Sequence, residues 1–369
     1  MATRTVAYLT PLYFDERSCL GGGERYPLNL ARGVVASSHG ACAVELISFG
    51  DAPHRQQLAP GVTLRVLTAS RKPHNPLDVL SWELPEALAE ADLVHIHQAY
   101  TRCSEVGLLV AKQLGKPICI TDHGGFTSPL GEQLGSLELA DRVIAYSDFG
   151  ASLYRTRTPI IVIKGGVDAE RFMPPRVRPP RDRVVYVGRL LPHKGIDQLI
   201  AALPPDLPLT VCGRPYHDHY FGKLQDLAAG KQVEFRTDAD DATIRDLYAR
   251  AWVSVLPSVY QDCYGNVYEA PELMGFTLLE AMACGTPAIA SRVAAMPEFI
   301  REGETGFVFD TREELTSQLR RLAEEPELVE QMGRQARRCV EQEFDLRVAG
   351  ARMRAVYDAL IRTSREAAA

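Results

Sequence analysis

Short runs of β-branched residues alternate with helix-like segments along almost the whole chain, and this alternation is the strongest constraint on its fold. The first series of runs is TVAYLT, AVELISF, VTLRVLT, DLVHIH, PICITDH, RVIAYS and IIVIKG, and the second is RVVYVG, LTVCG, VEFRT, WVSVLP, PAIAS and GFVFD. Strands that alternate with helices form parallel sheets with crossover helices. The sequence therefore predicts an α/β protein.

The alternation is interrupted once, by the proline- and arginine-rich stretch AERFMPPRVRPPRDR. A chain of 369 residues is long enough for two domains with separate cores. We therefore predict a Rossmann-like domain over residues 1–168, a linker over 169–182 and a second Rossmann-like domain over 183–345. Residues 346–369 read as an amphipathic helix that returns to the first domain. Ligands of such sheets bind beyond the carboxyl ends of the strands, so we expect the two domains to face each other across a cleft.

Composition excludes several classes of protein. The formal charge of −6 and the pI near 5.9 give no overall basic field, so nucleic-acid binding is not expected. The eight cysteines are scattered without a C-x-x-C pair, which indicates small core residues in reduced protein. No basic and apolar leader and no run of about eighteen apolar residues is evident. We expect a cytoplasmic protein without stable membrane association.

Three consecutive glycines, Gly21 to Gly23, stand between the first strand and the first helix. Glycines there let backbone amides approach a ligand, and the helix N-terminus favours an anion. The pattern is not G-x-G-x-x-G, and a strand-to-helix turn can need glycine for packing alone. Both interpretations remain open from the residues.

The segment VVYVGRLLPHKG carries two cations just after a strand of the second domain. The strand ends at Gly188, Arg189 and Lys194 follow in the exit loop, and a helix begins at about Gly195. Two cations and a helix N-terminus at the carboxyl end of a strand are typical of a diphosphate site. The alternative is a pair of solvated surface cations.

Two glutamates, Glu272 and Glu280, are spaced eight residues apart around a largely apolar helix. A carboxylate in apolar surroundings needs a cation or a bound ligand. Eight helical steps span roughly 12 Å, about the distance between the hydroxyls of a hexose and the ribose of a nucleotide sugar. The alternative is that one glutamate serves the helix dipole and the other a salt bridge.

Taken together in their order, these segments resemble the retaining GT-B glycosyltransferase family that includes sucrose synthases and phosphatidylinositol mannosyltransferases. The resemblance extends over most of the chain, through GGGE, DLVHIH, TDHGG, ADRVIAYSDFGAS, KGGVDAERFMP, VGRLLPHKG, ELMGFTLLEAMACGTPAIAS and MPEFIREGETGFVF. It implies a GT-B fold whose first domain binds the acceptor and whose second domain binds a nucleotide diphosphate sugar.

The resemblance also implies roles for individual residues. Arg189 and Lys194 would bind the donor diphosphate, Glu272 the sugar hydroxyls, and Glu280 the ribose. Residues expected to approach the donor through their backbones are Gly21, Gly22, Gly188, Gly275, Phe276 and Thr277. No metal and no separate cofactor is expected, and the donor we favour is a UDP-sugar.

Several histidines invite a functional interpretation. His123 follows the strand PICITD, and in similar enzymes a histidine at this place lies beside the transferred sugar; the alternative is a packing residue at a strand end. His95 and His97 share one face of a strand, and we expect a structural role for His95 and a position nearer the acceptor for His97. His217 and His219 are read as part of a polar surface loop, without zinc.

The resemblance therefore implies a hexosyltransferase that retains anomeric configuration, and we expect a soluble small molecule or glycan as its acceptor. A nucleotide-sugar epimerase is the first alternative, and the E-x7-E helix argues against it. An inactive nucleotide-sugar-binding scaffold is the second, and the intact set of Arg189, Lys194, Glu272 and Glu280 argues against that. A tyrosine-bearing loop, residues 259–270, replaces the shorter turn usual in the family, so the identity of the donor sugar is left open. The identity of the acceptor and the oligomeric state are open as well.

Overall fold

The computed structural model describes residues 3–11, 22–70, 78–124 and 129–368 of the chain. The chain divides into two compact units. One unit comprises Met1–Gly166 together with Leu346–Ala369, and the other comprises Val167–Asp345.

The first unit is built on a sheet of eight strands among the described residues. Its strands are β1 (Arg4–Leu9), β2 (Cys42–Gly50), β3 (His54–Ala59), β4 (Val62–Thr68), β5 (Leu93–His97), β6 (Ile118–Thr121), β7 (Arg142–Ala145) and β8 (Ile160–Val162). Its helices before the second unit are α1 (Gly22–Ser38), α2 (Leu84–Ala89), α3 (Arg102–Gln113), α4 (Pro129–Leu134) and α5 (Asp148–Leu153), with a 3-10 turn at Ser136–Leu139.

The strand order in this sheet is β3-β4-β2-β1-β5-β6-β7-β8, and every pairing is parallel except that of β3 with β4. Strand β5 is buried along its whole length, as expected for a parallel strand covered by helices on both faces. The chain winds outward from β1 in one direction and then from β5 in the other. The winding reverses between β1 and β5, which is where doubly wound sheets bind ligands.

The second unit has a sheet of six parallel strands among the described residues. They are β9 (Arg183–Val187), β10 (Leu209–Cys212), β11 (Val233–Arg236), β12 (Ala251–Leu256), β13 (Ala288–Ser291) and β14 (Gly306–Phe309). The helices are α6 (Ile196–Ala202), α7 (Asp218–Ala228), α8 (Asp241–Arg250), α9 (Phe276–Ala283), α10 (Arg312–Glu324) and α11 (Pro326–Cys339), with 3-10 turns at Pro192–Lys194 and Met296–Phe299 and a π-helical turn at Val340–Phe344.

The order β11-β10-β9-β12-β13-β14 is the 3-2-1-4-5-6 order of a Rossmann sheet. Its winding reverses between β9 and β12. The loops that follow these two strands therefore meet at the ligand-binding edge expected for this fold. Both loops carry residues that the sequence singled out.

The last helix, α12 (Leu346–Ala368), packs against α1 within the first unit. Two glycines allow the helices to touch. A Cβ on Gly33 would lie 1.9 Å from the carbonyl oxygen of Leu346, and one on Gly350 would lie 2.1 Å from the carbonyl carbon of Gly33. The close approach of the two backbones leaves no room for larger residues at either position.

Residues 169–182, where the sequence predicts a linker, belong to the second unit. Hydrogen bonds from arginine side chains to main-chain carbonyls join this segment to the rest of the second unit. Arg337 Nη1 donates to the carbonyls of Ala169 and Phe172, each at 2.8 Å. Arg178 Nη2 donates to the carbonyl of Cys284 at 2.9 Å.

The predicted fold class, two α/β units on largely parallel sheets, is confirmed. The sequence did not indicate β3, whose residues HRQQLA are mostly exposed and lack apolar alternation. Within the part of the chain that the structure describes, no helix is long and apolar enough to cross a membrane.

Candidate functional site

A lysine, a glutamate and a serine meet where the winding of the second sheet reverses. Lys194 Nζ lies 2.5 Å from Glu272 Oε1, and Ser258 Oγ donates to the same carboxylate oxygen at 2.6 Å. The side chains of Lys194 and Glu272 are only 11% and 8% exposed. Lys194 Nζ also lies 3.4 Å from the carbonyl oxygen of Pro271. The sequence predicted functions for Lys194 and Glu272 separately, and the structure brings the two into contact.

Gly195 explains how the turn that carries Lys194 comes so close to β12. Its φ is +64°, a left-handed conformation that favours glycine. A Cβ there would lie 2.0 Å from the carbonyl oxygen of Pro257, the residue directly after β12. Any side chain at this position would push the turn away from the β12 loop, and with it Lys194 from Glu272.

Arg189 lies in the same exit loop, with its side chain exposed. Its main chain is held from below, because the buried Tyr186 hydroxyl donates to the Arg189 carbonyl at 2.9 Å. Gly188, which ends the strand run, lies against the next loop: a Cβ on Gly213 would lie 1.7 Å from the Gly188 carbonyl oxygen. The loop is thus fixed by its backbone, and the guanidinium of Arg189 lies at the surface.

Helix α9 begins at Phe276, a short distance along the chain from Glu272. Its N-cap is Gly275, which offers no side-chain acceptor to the first-turn amides, and Phe276 and Thr277 form its first turn. Tyr248 donates to the Thr277 carbonyl at 3.0 Å and fixes this turn from below. Glu280 lies in the body of α9 and is 2% exposed. Its predicted role toward a ribose stays a prediction.

Three histidines of the first unit, His95 and His97 in β5 and His123 after β6, form one cluster. The rings of His97 and His123 stack with centroids 5.3 Å apart and an angle of 14°. His97 Nδ1 lies 3.3 Å from His123 Nε2, and the hydroxyl of Tyr146 contacts His123 Nδ1. Both ring nitrogens of His123 are therefore engaged by neighbouring side chains of the same unit. Among the described residues, the Nε2 atom of the fully buried His97 has no hydrogen-bond partner.

Burial keeps these rings uncharged. It lowers the pKa of His123 to about 3, and burial together with His95 and His123 lowers the pKa of His97 well below its usual range. A neutral imidazole can accept a hydrogen bond through one nitrogen and donate through the other. Of the four ring nitrogens of His97 and His123, only His97 Nε2 has no partner among the described residues, and the His97 ring is buried.

His95 is fully bonded inside the protein. Its Nε2 lies 2.8 Å from Thr121 Oγ1, and its Nδ1 contacts the hydroxyl of Tyr357 in α12. Tyr357 in turn donates to the Tyr8 hydroxyl at 2.9 Å, so its oxygen is left to accept from His95 Nδ1. Burial, with a smaller effect from His123, lowers the pKa of His95 to about 3. These contacts are those of a structural histidine.

The other positions that the sequence singled out are two glycines, Gly21 and Gly22, and two histidines, His217 and His219. Gly21 lies outside the described residues, and Gly22 is the first residue of α1. His217 and His219 stand next to each other with ring centroids 5.6 Å apart. Among the described residues, no group of three or more histidine, cysteine, aspartate or glutamate side chains is arranged to hold a metal ion.

Sequence reasoning missed three residues that organise these sites. Ser258 bonds to Glu272 and is the second residue after β12, so its position after a strand was an available signal. Tyr146 directly follows β7 and contacts His123. Asp262 is 5% exposed inside the tyrosine-bearing loop, and no local sequence pattern distinguishes it.

The match to family models decides the family. The model described as Glycosyl transferases group 1 matches residues 169–339, and that described as Glycosyltransferase Family 4 matches residues 20–171. The two matches together extend over both units. The chain belongs to the group 1 glycosyltransferases.

Curated group 1 relatives match this chain over most of its length. The glycogen synthase of Mycobacterium tuberculosis is 26% identical over 403 residues, covering 94% of this chain and 93% of that protein. The D-inositol 3-phosphate glycosyltransferase 2 of Catenulispora acidiphila is 27% identical over 367 residues, covering 81% of this chain and 80% of that protein. The relatives thus have different substrates, so the match defines the family rather than one reaction.

Solved structures show the same fold. The sucrose-phosphate synthase of Thermosynechococcus elongatus has a TM-score of 0.74 at 22% identity, over 98% of this chain and all of that one. Anabaena HepE, crystallised with UDP and glucose, has a TM-score of 0.72 at 18% identity, over 96% of this chain and all of that one. At these identities the likeness concerns the fold, which for this group 1 glycosyltransferase is GT-B.

Proposed function

We propose that this group 1 glycosyltransferase transfers a hexosyl-type sugar from a nucleotide diphosphate sugar to a hydroxyl of its acceptor, with retention of anomeric configuration and without a metal ion. The observation that carries the proposal is the contact of Lys194, Glu272 and Ser258 at the reversal point of a Rossmann sheet. A buried cation beside a buried carboxylate supplies both kinds of group that a sugar phosphate needs. The cation attracts phosphate oxygens, and the carboxylate accepts hydrogen bonds from sugar hydroxyls.

The donor would lie along the loops after β9 and β12. Lys194 and the exposed Arg189 would bind the diphosphate, and the first-turn amides of α9 near Phe276 and Thr277 would add dipole stabilisation. Glu272 would hold sugar hydroxyls and Glu280 the ribose. A UDP-sugar is the favoured donor, in keeping with the UDP-glucose bound to Anabaena HepE.

In the proposed reaction, the bond between the anomeric carbon and the β-phosphate oxygen breaks. A bond from the acceptor oxygen to the anomeric carbon forms on the same face, and the acceptor proton passes to the departing phosphate oxygen. Negative charge builds on the diphosphate as the bond breaks. Lys194, Arg189 and the N-terminus of α9 are the groups available to stabilise that charge, which is the usual source of the largest catalytic effect.

The first unit is proposed to bind the acceptor. In its uncharged pair of His97 and His123, the atom that would meet an acceptor hydroxyl is His97 Nε2, which has no hydrogen-bond partner among the described residues. We propose a soluble acceptor for this reaction. His123 would then lie beside the transferred sugar.

The experiment that tests the proposal measures nucleoside diphosphate release from UDP-, GDP-, ADP- and dTDP-sugars, with EDTA present, in the wild type and in Lys194→Ala. Exposed Lys112 on α3 provides the matched control, Lys112→Ala. We expect one donor to be cleaved by the wild type and by the control, and turnover to fall at least a hundredfold in Lys194→Ala because the charge on the leaving group is no longer balanced.

The products distinguish the alternatives. Proton NMR of the transferred sugar should show the anomeric configuration of the donor. Conversion of the donor to its epimer without release of nucleoside diphosphate would instead indicate an epimerase, and donor binding without any conversion across a panel of acceptors would indicate a scaffold. Activity that is lost in EDTA and restored by a divalent cation would overturn metal independence.

A further inference from the structure

The tyrosine-bearing loop, residues 259–270, forms a small hairpin in the second unit. Gln261 and Val267 pair as an antiparallel bridge, and the Tyr268 amide donates to the Tyr260 carbonyl at 2.8 Å. The hairpin grows out of the loop after β12, on one side of the point where the sheet winding reverses. An added element at this edge adjoins the ligand-binding region of the fold.

One carboxylate organises the hairpin. Asp262 Oδ1 accepts from the amides of Tyr264 and Asn266 at 2.8 and 3.0 Å. Its Oδ2 accepts from the Asn266 side-chain amide at 3.0 Å and from the Tyr268 hydroxyl at 3.1 Å. Burial acts to raise the pKa of Asp262, but the hydrogen bonds, that of Asn266 foremost, outweigh it and lower the pKa. Four donors on one carboxylate thus join the turn of the hairpin to its second strand.

The hairpin is attached on one flank to the turn that carries Lys194. The Val259 amide donates to the His193 carbonyl at 2.9 Å, and the rings of Tyr268 and His193 pack with centroids 4.7 Å apart. Burial, with the charges of Lys194 and Arg189 adding to it, lowers the pKa of His193 to about 3. The His193 ring that packs on Tyr268 is therefore uncharged at neutral pH.

The other flank of the hairpin is attached to α7. The ring of Tyr264 packs against that of His219 with centroids 5.1 Å apart, and the Lys223 ammonium lies 5.4 Å from the centre of the Tyr264 ring. The hairpin thus spans from the loop after β9 to the helix after β10. The hairpin is held at two places, with its base against the turn that carries Lys194 and its tip against α7.

The base of the hairpin is closed by the candidate donor-binding residues. Ser258 directly precedes the hairpin, Glu272 follows it after Pro271, and Ser258 donates to Glu272 at 2.6 Å. Ser291 Oγ in turn donates to the Ser258 carbonyl at 2.6 Å. Since the hairpin connects Ser258 to Glu272, a change in its conformation is transmitted to the carboxylate expected to hold the sugar.

We propose that the hairpin selects the sugar of the donor, and that Asp262 is a positioning residue which acts through Glu272. This inference rests on the proposed function. The hairpin fixes the orientation of Glu272 from its base, through the Ser258 hydroxyl and the short chain that joins the hairpin to Glu272. The ligand it recognises is the hexosyl part of a nucleotide diphosphate sugar, not the nucleotide.

The test compares binding of the sugar with binding of the nucleotide. In Asp262→Asn, one oxygen can still accept the two backbone amides, but the new amide group faces the donors of Asn266 and Tyr268. Asp240→Asn is the matched control, because Asp240 is an exposed N-cap of α8 and asparagine caps a helix equally well. For each protein, the Kd of the free nucleoside diphosphate, kcat and KM for the preferred donor, and the melting temperature are measured.

We expect Asp262→Asn to bind the nucleoside diphosphate within about twofold of wild type while kcat/KM for the sugar nucleotide falls about tenfold or more, a loss equivalent to about 1.4 kcal/mol. The preference between donors that differ only at C4 of the sugar should also narrow. Tyr268→Phe, which keeps the ring on His193 and removes only the hydroxyl, should give a smaller shift in the same direction. It also serves as the test if Asp262→Asn does not fold.

Equal weakening of nucleotide and sugar nucleotide would overturn the inference, because the hairpin would then act only on general stability. Unchanged kcat/KM and unchanged donor preference in both variants would overturn it as well. Failure of the proposed function is distinguishable, since in that case the wild type itself would release no nucleoside diphosphate from any sugar nucleotide.

Discussion

Lys194 Nζ lies 2.5 Å from Glu272 Oε1 although 78 positions separate the two residues in the sequence. Breaking a largely buried ion pair leaves one charge uncompensated, which costs about 3–5 kcal/mol. We expect Lys194→Met to lower the urea midpoint of the second unit substantially, and the double variant Lys194→Met with Glu272→Gln to recover part of the loss. Transferase activity should remain low in both. Additive losses of stability in the double-mutant cycle would argue that the two side chains do not interact.

The buried His95 makes the first unit sensitive to acid. Its pKa is lowered to about 3 in the folded chain, against about 6.5 in an unfolded one. Below pH 6.5 the unfolded state therefore takes up a proton that the folded state does not, and stability falls as pH falls, by up to about 1.4 kcal/mol per pH unit for this one group. Above pH 6.5 the effect is absent. Urea unfolding at pH 7.5, 6.0 and 5.0 measures the slope, and His95→Gln should make it shallower.

His123 should stay neutral well below physiological pH. Burial lowers its pKa to about 3, and its Nδ1 contacts the Tyr146 hydroxyl. We expect nitrogen NMR of the imidazole to show a neutral ring at pH 5.5. In Tyr146→Phe the Nδ1 resonance should move more than that of Nε2, which retains His97 as its partner. A titration midpoint above pH 5 in the wild-type protein would contradict the cause assigned here.

Two glycines in helices should respond to alanine in opposite directions. In Gly33→Ala the added methyl group meets the Leu346 carbonyl, so we expect a loss of about 1–3 kcal/mol as the helices are forced apart. In α7, a Cβ on Gly222 meets no atom within 4 Å, so Gly222→Ala should gain about 0.5–1 kcal/mol from helix propensity alone. The melting temperatures of both variants test this prediction. A lower melting temperature for Gly222→Ala than for the wild type would contradict it.

The extent of prediction from sequence follows from how local each signal is. Buried parallel strands such as β14 are continuous apolar runs that stand out in the sequence, whereas β3 is an exposed strand whose only structural cue is its partner β4. The positions of Lys194 and Glu272 after strands were readable, because strand ends collect ligands in this fold. Their mutual contact was not readable, since it depends on which strands are neighbours.

The hairpin shows the same limit at smaller scale. Its composition stood out because it departs from the family pattern, and that departure left the donor sugar open. That a single carboxylate, Asp262, gathers four hydrogen bonds could not be anticipated, because aspartate in a loop is ordinarily a solvated or capping residue.

The first unit is discontinuous, because α12 supplies a surface on which α1 packs and carries Tyr357, which bonds to Tyr8 and His95. During synthesis the ribosome must translate all of Val167–Asp345 before this helix appears. The second unit can therefore fold first. Until α12 has been synthesised, part of the apolar surface of the first unit remains uncovered. Chaperone dependence should accordingly be concentrated in the earlier-made half of the polypeptide.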